Sequence, residues 1–231
     1  MENAKKRRLA VLPARSGSKR IPNKNVRSFL GKPIIHYTIE YAQKSELFDR
    51  IHASTDSHEI ADVVSQCGVD IDFFRPAQLA DDHTTLFAVL KYVFNEYQRR
   101  GEIFDEIWLL MPCAPMIMST DLMKAAEIFD NQTPLIAVAA MPCPPQWSYI
   151  KNESGLLTFL EPAHYQKRSQ DFAQSYFDAG AFAVFGASHM SQKTFDGNFV
   201  MPYELPRNRA IDIDTLEDWD IAEKLYRSLG I

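Results

Sequence analysis

The stretch Leu9-Ala10-Val11-Leu12-Pro13-Ala14-Arg15-Ser16-Gly17-Ser18-Lys19-Arg20-Ile21-Pro22-Asn23-Lys24-Asn25 decides how the chain is read. Its first four residues form an unbroken apolar run closed by a proline, the mark of a strand buried on both faces. A polar loop follows, with four cations, Arg15, Lys19, Arg20 and Lys24, in ten residues of a chain whose net charge is −5. Such a loop is either a solvated basic segment or an anion site, and its place after a buried strand in an acidic chain favours the anion. Loops at the carboxyl ends of parallel strands are where open α/β sheets bind ligands. Gly17 lets the backbone approach a phosphate, and successive N–H groups of the loop can form an anion nest. Guanidinium and ammonium groups then neutralise a polyphosphate. Two common phosphate motifs do not fit. Ser18 follows Gly17 where a P-loop needs lysine, and Gly17 is the loop's only glycine, so G-x-G-x-x-G is absent. The loop belongs neither to a P-loop ATPase nor to a Rossmann dehydrogenase.

Outward from this loop, short apolar segments alternate with longer amphipathic ones, which predicts an α/β fold with a largely parallel sheet. Strands are expected at residues 9–12, 51–54, 107–111, 135–140 and 181–185, with a short one ending at Phe73-Phe74. Helices are expected from Pro33, around Ile60 and Val64, over 84–100, over 120–129 and after Thr215. In 84–100 the residues Leu86, Val89, Leu90, Val93, Phe94 and Tyr97 recur every three or four positions, one face of a helix. The alternation breaks at Met141 with Pro142-Cys143-Pro144-Pro145. Strand-like pieces at 147–150 and 156–159 then flank a turn at 152–155. Residues 1–140 and 179–231 are expected to form one α/β core and 141–178 an inserted arm.

At 231 residues, 46% hydrophobic and 24% charged, the chain has the composition of one large globular domain with a full core. Disorder, collagen and coiled coil are excluded as its main character. The acidic balance argues against a nucleic-acid binder that works by bulk phosphate attraction. Three cysteines, Cys67, Cys113 and Cys143, support neither a disulfide framework nor a zinc knuckle. Six histidines are scattered without metal-ligand or triad spacing. The basic run Lys5-Lys6-Arg7-Arg8 precedes an apolar stretch too short for a signal peptide or a membrane span, so a cytoplasmic location is expected.

The segment Ile211-Asp212-Ile213-Asp214 carries the second site. Read as a strand, its period of two puts both carboxylates on one face and both isoleucines on the other. Mg²⁺ prefers such oxygen ligands and commonly takes one or two carboxylates plus substrate phosphates. Asp214 also stands where it could cap the helix from Thr215, but capping does not account for Asp212.

The loop resembles the signature of the nucleotidyltransferases that make CMP-activated nonulosonic acids, departing only at Ser16, where those enzymes usually carry glycine. The resemblance extends over almost the whole chain, through Phe29-Leu30-Gly31-Lys32-Pro33-Ile34-Ile35, Ser54-Thr55-Asp56, Arg75-Pro76, Leu79-Ala80-Asp81-Asp82, Pro112-Cys113-Ala114-Pro115 and the 211–214 segment. Within the family, Arg168-Ser169-Gln170-Asp171 and Tyr176-Phe177-Asp178-Ala179-Gly180 are most similar to the branch that acts on pseudaminic acid. The resemblance implies a Rossmann-like nucleotidyltransferase fold with a small dimerisation arm, and conversion of CTP and pseudaminic acid to CMP-pseudaminic acid and pyrophosphate. The same reaction on legionaminic, sialic or 3-deoxy-octulosonic acid is the alternative, and a non-catalytic nucleotide-binding protein a further one.

It also implies residue roles. Ala14, Arg15, Ser16, Gly17, Ser18, Lys19, Lys24 and Asn25 would surround CTP. Arg15, Lys19 and Lys24 would act in catalysis with Asp212 and Asp214, the pair expected to hold Mg²⁺. Arg75, Asp82, Thr84 and Thr85 would lie around cytosine and ribose, although Asp82-His83-Thr84 is also an ordinary helix start. Met111, Arg168, Gln170, Tyr176, Asp178 and Gly180 would bind the acidic nine-carbon sugar. Arg168 is the expected bidentate partner of its carboxylate, with a surface ion pair as the alternative. A homodimer is expected, its 141–178 arm crossing to the second copy through aromatics such as Trp147, Tyr149 and Tyr165.

Overall fold

The computed structural model describes residues 6–230; Lys5 of the basic run lies outside them. In chain order the strands are β1 (Arg8–Pro13), β2 (Ser28–Phe29), β3 (Lys32–Pro33), β4 (Arg50–Ser54), β5 (Glu106–Leu110), β6 (Leu135–Ala140), β7 (Tyr149–Lys151), β8 (Leu157–Phe159), β9 (Tyr176–Gly186) and β10 (Met201–Glu204). The helices are α1 (Ile34–Lys44), α2 (His58–Ser65), α3 (Leu86–Arg99), α4 (Ser119–Ile128) and α5 (Leu216–Leu229).

Six strands make one sheet in the order β10-β6-β9-β5-β1-β4. The pairs β1–β4, β1–β5 and β6–β10 are parallel. Only β9 runs against its neighbours β5 and β6. The run Leu9 to Leu12 is fully buried because α1, α2 and α4 cover one face of the sheet and α3 the other. The carboxyl ends of β1, β4 and β5 point the same way, so their loops meet at one edge. Among the described residues, no helix is long and apolar enough to cross a membrane.

Three expectations need correction. No strand ends at Phe73-Phe74; that stretch is irregular, and Phe73 instead stacks on His52 with ring centroids 4.3 Å apart. Residues 211–214 join no ladder. Their alternation survives because Ile213 is buried in a small cluster with Ile21, Phe29, Ile34 and Trp219, which turns Asp212 and Asp214 the other way. Finally, β9 begins at Tyr176, opposite Ala140 of β6, so residues 176–178 belong to the core sheet. The β10 strand carried no signal in the sequence, since Met201-Pro202-Tyr203-Glu204 is an edge strand containing a proline, the position where proline is tolerated.

One irregularity bears on the site. Between the pairs Val138–Asp178 and Ile136–Ala183, β9 advances five residues while β6 advances two. The extra residues form a bulge around Gly180, the kind of kink that re-aims side chains beside functional clefts.

Candidate active site

The carboxyl edge of the sheet holds a cleft of about 460 Å³. Its walls bring together Arg15, Lys19, Arg20 and Lys24 from the loop after β1, Arg75, Asp82 and Thr84 from the segment before α3, and Met111, Gly180, Asp212 and Asp214. The loop reaches the carboxylate segment because two of its residues are tied to Ile213. Ile21 is buried in the same small apolar cluster as Ile213, and Lys24 Nζ donates to the Ile213 carbonyl at 2.7 Å. Ile21 is thus the apolar anchor of an otherwise polar loop.

The loop's cations are already paired. Arg15 donates to Asp82 Oδ1 at 2.7 Å and to the Asp81 carbonyl at 3.1 Å, and Lys19 pairs with the other oxygen of Asp82. These donors hold the Asp82 carboxyl down at about 2, Lys19 contributing first and Arg15 second. Arg20 meets Asp214 at 2.7 Å and Lys24 lies 3.4 Å from its other oxygen. Asp56, which ends the Ser54-Thr55-Asp56 motif, accepts from the Ser16 N–H at 2.9 Å and the Ser16 hydroxyl at 2.8 Å. Burial raises the Asp56 carboxyl, but the Ser16 donors outweigh this and leave it below the ordinary range. The serine that departs from the family's glycine therefore adds a tie to the loop.

Not every residue expected at the nucleotide reaches the cleft. Ala14 is fully buried and its N–H donates to the Ser54 carbonyl at 2.9 Å, so it extends the ladder and is closed to a phosphate. Asn25 does line the cleft, and it also braces the loop, its side-chain amide donating to the Arg15 carbonyl at 3.0 Å while its Oδ1 accepts from the Cys113 thiol at 3.4 Å. Burial pushes that thiol up to about 12, which makes it packing and not a nucleophile. Ser18 lines the main cleft, while Gly17 lines only a shallower depression beside Lys19 and Asp82. Thr85 lies outside the cleft because its side chain caps α3, accepting from the Ala88 N–H at 3.2 Å. Asp82 was expected near cytosine but binds the loop's cations. Arg75 is buried, lowered to about 10 by that burial, and grips Ser54 through both its hydroxyl and its carbonyl.

At the other end of the cleft, Asp212 is held above the ordinary carboxylate range, first by removal from water and then by the charges of Asp214 and Asp178. Three carboxylates gather there, and the nearest cations, Arg20 and Lys24, contact Asp214 only. An all-oxygen set with surplus negative charge fits a hard divalent cation. Among the described residues, no group of three or more His, Cys, Asp or Glu side chains is placed to hold a metal alone. Two carboxylates that leave positions for phosphate and water fit Mg²⁺ better than a closed protein cage. The 211–214 segment is steadied from behind by Arg209, which donates to both oxygens of Asp121 at 2.5 and 3.0 Å, with Tyr203 donating to Asp121 at 3.0 Å.

Of the residues expected at the sugar, Met111 and Gly180 line the main cleft, and a second cavity beyond them is lined by Met111, Asp178 and Gly180. Arg168 does not join them. It is exposed and donates from Nε and Nη2 to Asp171, closing the short turn Ser169–Asp171, so the surface ion pair is what this chain forms. Gln170 and Tyr176 are exposed and line neither cavity. Of the arm's aromatics, Tyr149 and Tyr165 are exposed, but Trp147 is half-buried against Phe172.

Comparison with known proteins places this cleft in context. The cytidylyltransferase family model matches residues 9–219. A pseudaminic acid cytidylyltransferase of Campylobacter jejuni is 37% identical over 226 residues, 95% of this chain and 96% of that one. A CMP-N,N'-diacetyllegionaminic acid synthase of Legionella pneumophila is 32% identical over 222 residues, 94% of this chain and 95% of that one. Among solved structures, a CMP:2-keto-3-deoxy-manno-octonic acid synthetase complexed with CTP shares the fold, with a TM-score of 0.70 at 17% identity over 96% of this chain and 99% of that one. With its loop of cations and its carboxylate pair in one cleft, this chain belongs to the cytidylyltransferase family and is a nucleotidyltransferase.

Proposed function

We propose that the chain transfers the cytidylyl group of CTP to the anomeric hydroxyl of pseudaminic acid, giving CMP-pseudaminic acid and pyrophosphate. One observation carries the reading: a single cleft holds the loop's cations and the Asp212/Asp214 pair, and opens past Met111 into an apolar chamber. The identity to the Campylobacter enzyme over nearly the full length of both chains supports the same acceptor.

The chemistry assigns the roles. Attack at the α-phosphorus builds charge on the departing pyrophosphate, and Arg15, Lys19 and Lys24 are the groups that meet it. Their present partners, Asp82 and Asp214, are anions that a triphosphate replaces. Asp212 and Asp214 would hold Mg²⁺, which when bound supplies charge neutralisation at the phosphates. Alignment of the acceptor against the α-phosphate does the remaining work, and no covalent enzyme intermediate is needed. A reaction that consumes CTP belongs in the cytoplasm.

A homodimer is part of the same proposal. The arm exposes Tyr149, Ile150, Leu156, Leu157, Leu160 and Tyr165, apolar side chains that a partner would cover. Arg168 lies outside both cavities of its own chain, and in a dimer with crossed arms it would serve the sugar carboxylate in the neighbouring cleft.

The test supplies CTP and Mg²⁺ with each of four acids, pseudaminic, legionaminic, sialic and 3-deoxy-octulosonic, and detects the CMP-sugar by mass spectrometry. Preferred conversion of pseudaminic acid is expected. Preferred conversion of another acid would overturn the choice of sugar, and no pyrophosphate release with any acid would overturn catalysis by this cleft.

A further inference from the structure

The cavity beyond Met111 has a volume of about 360 Å³ and shares Leu86, Met111, Gly180 and Asp212 with the main cleft. Its character differs sharply from that of the cleft. Asp178 and Asp212 are its only polar side chains, and both belong to its mouth: Asp212 is common to the two cavities, and Asp178 accepts from the Gly180 N–H at 2.9 Å. Three phenylalanines from three parts of the chain cluster in its wall. Phe185 of β9 lies 5.1 Å from Phe195 and 5.5 Å from Phe87 of α3, centroid to centroid, and Phe87 and Phe195 are 6.0 Å apart. Phe195 is on the connection between β9 and β10, which Lys91 ties to α3 by donating to the Gln192 carbonyl at 2.7 Å. No side chain lining the chamber can donate a hydrogen bond.

The chamber branches from the cleft at Asp212, where the acceptor's attacking oxygen must come on the cytidylyltransferase reading. Whatever part of the acceptor points away from the reacting atoms enters it. A hydroxyl placed beyond the mouth, among the phenylalanines and out of reach of the Asp178 and Asp212 carboxylates, would lose its water partners and gain none. A methyl group would lose nothing and bury apolar surface.

We propose that this chamber is a selectivity pocket for the acceptor's exocyclic substituents, in which Phe87, Phe185 and Phe195 accept a terminal methyl or an acylamino methyl and disfavour a tail ending in hydroxyls. The inference rests on the proposed function but divides the sugars differently. Pseudaminic and legionaminic acids both carry two acylamino groups and a methyl terminus, whereas sialic acid carries one acylamino group and a hydroxylated tail, so a chamber that takes the tail separates the first two from the third without separating them from each other.

The experiment compares kcat/KM for these three acids in the wild type, Phe195→Ser and Phe195→Leu, with CTP affinity measured by calorimetry and folding by thermal melting. An apolar pocket rejects an added hydroxyl by up to about a hundredfold. The wild type is therefore expected to favour the better diacylamino acid over sialic acid by roughly ten- to a hundredfold. Phe195→Ser should shrink that ratio about tenfold with CTP affinity unchanged, and Phe195→Leu should restore most of it. Equal turnover of sialic acid by the wild type, or an unchanged ratio in folded Phe195→Ser, would overturn the proposal. If Phe195→Ser does not fold, loss of the preference in Phe87→Tyr supports it and an unchanged ratio there overturns it. Preference for legionaminic over pseudaminic acid would overturn the choice of sugar while leaving the chamber's role standing. Turnover of none of the three would remove both.

Discussion

A side chain at position 180 would crowd the carboxylate of Asp212. A Cβ on Gly180 would stand 3.1 Å from Cγ of Asp212 and 3.2 Å from its Oδ1, and the backbone at Gly180 has a φ of +59°. The left-handed conformation favours glycine, and any side chain there would have to push the Asp212 carboxylate aside by a few tenths of an ångström. Gly180→Ala should cost about 1–2 kcal/mol in backbone strain and push the carboxylate out of place. The variant should fold, melt a few degrees lower, lose at least about tenfold in kcat, and need more Mg²⁺ for half-maximal rate. A metal titration that overlays the wild type would refute the link between the bulge and Asp212.

Asp82 acts as a stand-in anion for the loop. Its carboxyl is held at about 2, so it stays ionised throughout the working pH range and competes with the triphosphate for Arg15 and Lys19. Exposed pairs of this kind are worth little. Asp82→Asn should therefore tighten CTP binding only a few-fold, whereas Arg15→Ala, which removes a charged contact to the ligand, should weaken it about tenfold or more. Calorimetric titration with CTP separates the two. Weaker binding in Asp82→Asn would return Asp82 to a direct nucleotide contact.

Much of the core was legible because its signals are local. The run 9–12, the period of 84–100 and the alternating strand at 135–140 each announce their environment within a few residues. The phosphate loop was legible by charge density in an acidic chain. What escaped notice depends on distant partners. The sequence does not say that Ile21 and Ile213 share a cluster, that Asp56 holds Ser16, or that β9 gains a bulge opposite β6. Thr85 and Arg168 line neither cavity of their own chain for a related reason. Capping and short-range ion pairing satisfied their side chains locally, a competitor that residue type alone does not rank against a ligand.

His52 makes the fold sensitive to mild acid. It is fully buried in β4, its Nδ1 lies 3.1 Å from the Tyr97 hydroxyl, and its Nε2 has no hydrogen-bond partner. Burial lowers it to about 4, with the nearby arginines Arg75, Arg100 and Arg50 adding to the effect and Asp72 opposing it. The unfolded chain takes up this proton near 6.5 and the folded chain only near 4, so stability is full above 6.5 and falls as pH drops between those values. This residue alone should remove about 2 kcal/mol between pH 7 and pH 5. Urea melts at the two pH values should show that loss, and His52→Gln should reduce the difference even if it is less stable at both.

Asp121 and Arg209 form a largely buried pair behind the carboxylate segment. Asp121→Ala leaves the guanidinium unpaired and should cost about 3–5 kcal/mol. Arg209→Lys keeps the charge but loses the two-pronged contact, so it should melt closer to the wild type while raising the Mg²⁺ requirement through a misplaced Asp212. Wild-type metal dependence in Arg209→Lys would limit the pair to stability.

Crossed arms make a prediction that a single-chain site does not. Arg168→Ala and Asp212→Asn should each be nearly inactive, the first for want of a partner for the sugar's carboxylate and the second for want of a metal ligand. Suppose the arm of one copy serves the cleft of the other. In a mixed dimer, one cleft then carries both substitutions, while the other has its own Asp212 and receives an intact Arg168. Co-expression of the two variants with random pairing makes half of the dimers mixed, so about a quarter of all clefts should work. If Arg168 serves its own chain, every cleft in every dimer keeps one defect and nothing is recovered. The measurement is kcat per cleft for the purified mixture against each variant alone. Recovery near a quarter of the wild-type rate is expected, together with a particle of twice the chain mass by light scattering. No recovery, or a monomer at micromolar concentration, would dismiss the crossed arm and leave Arg168 as the surface ion pair it forms with Asp171.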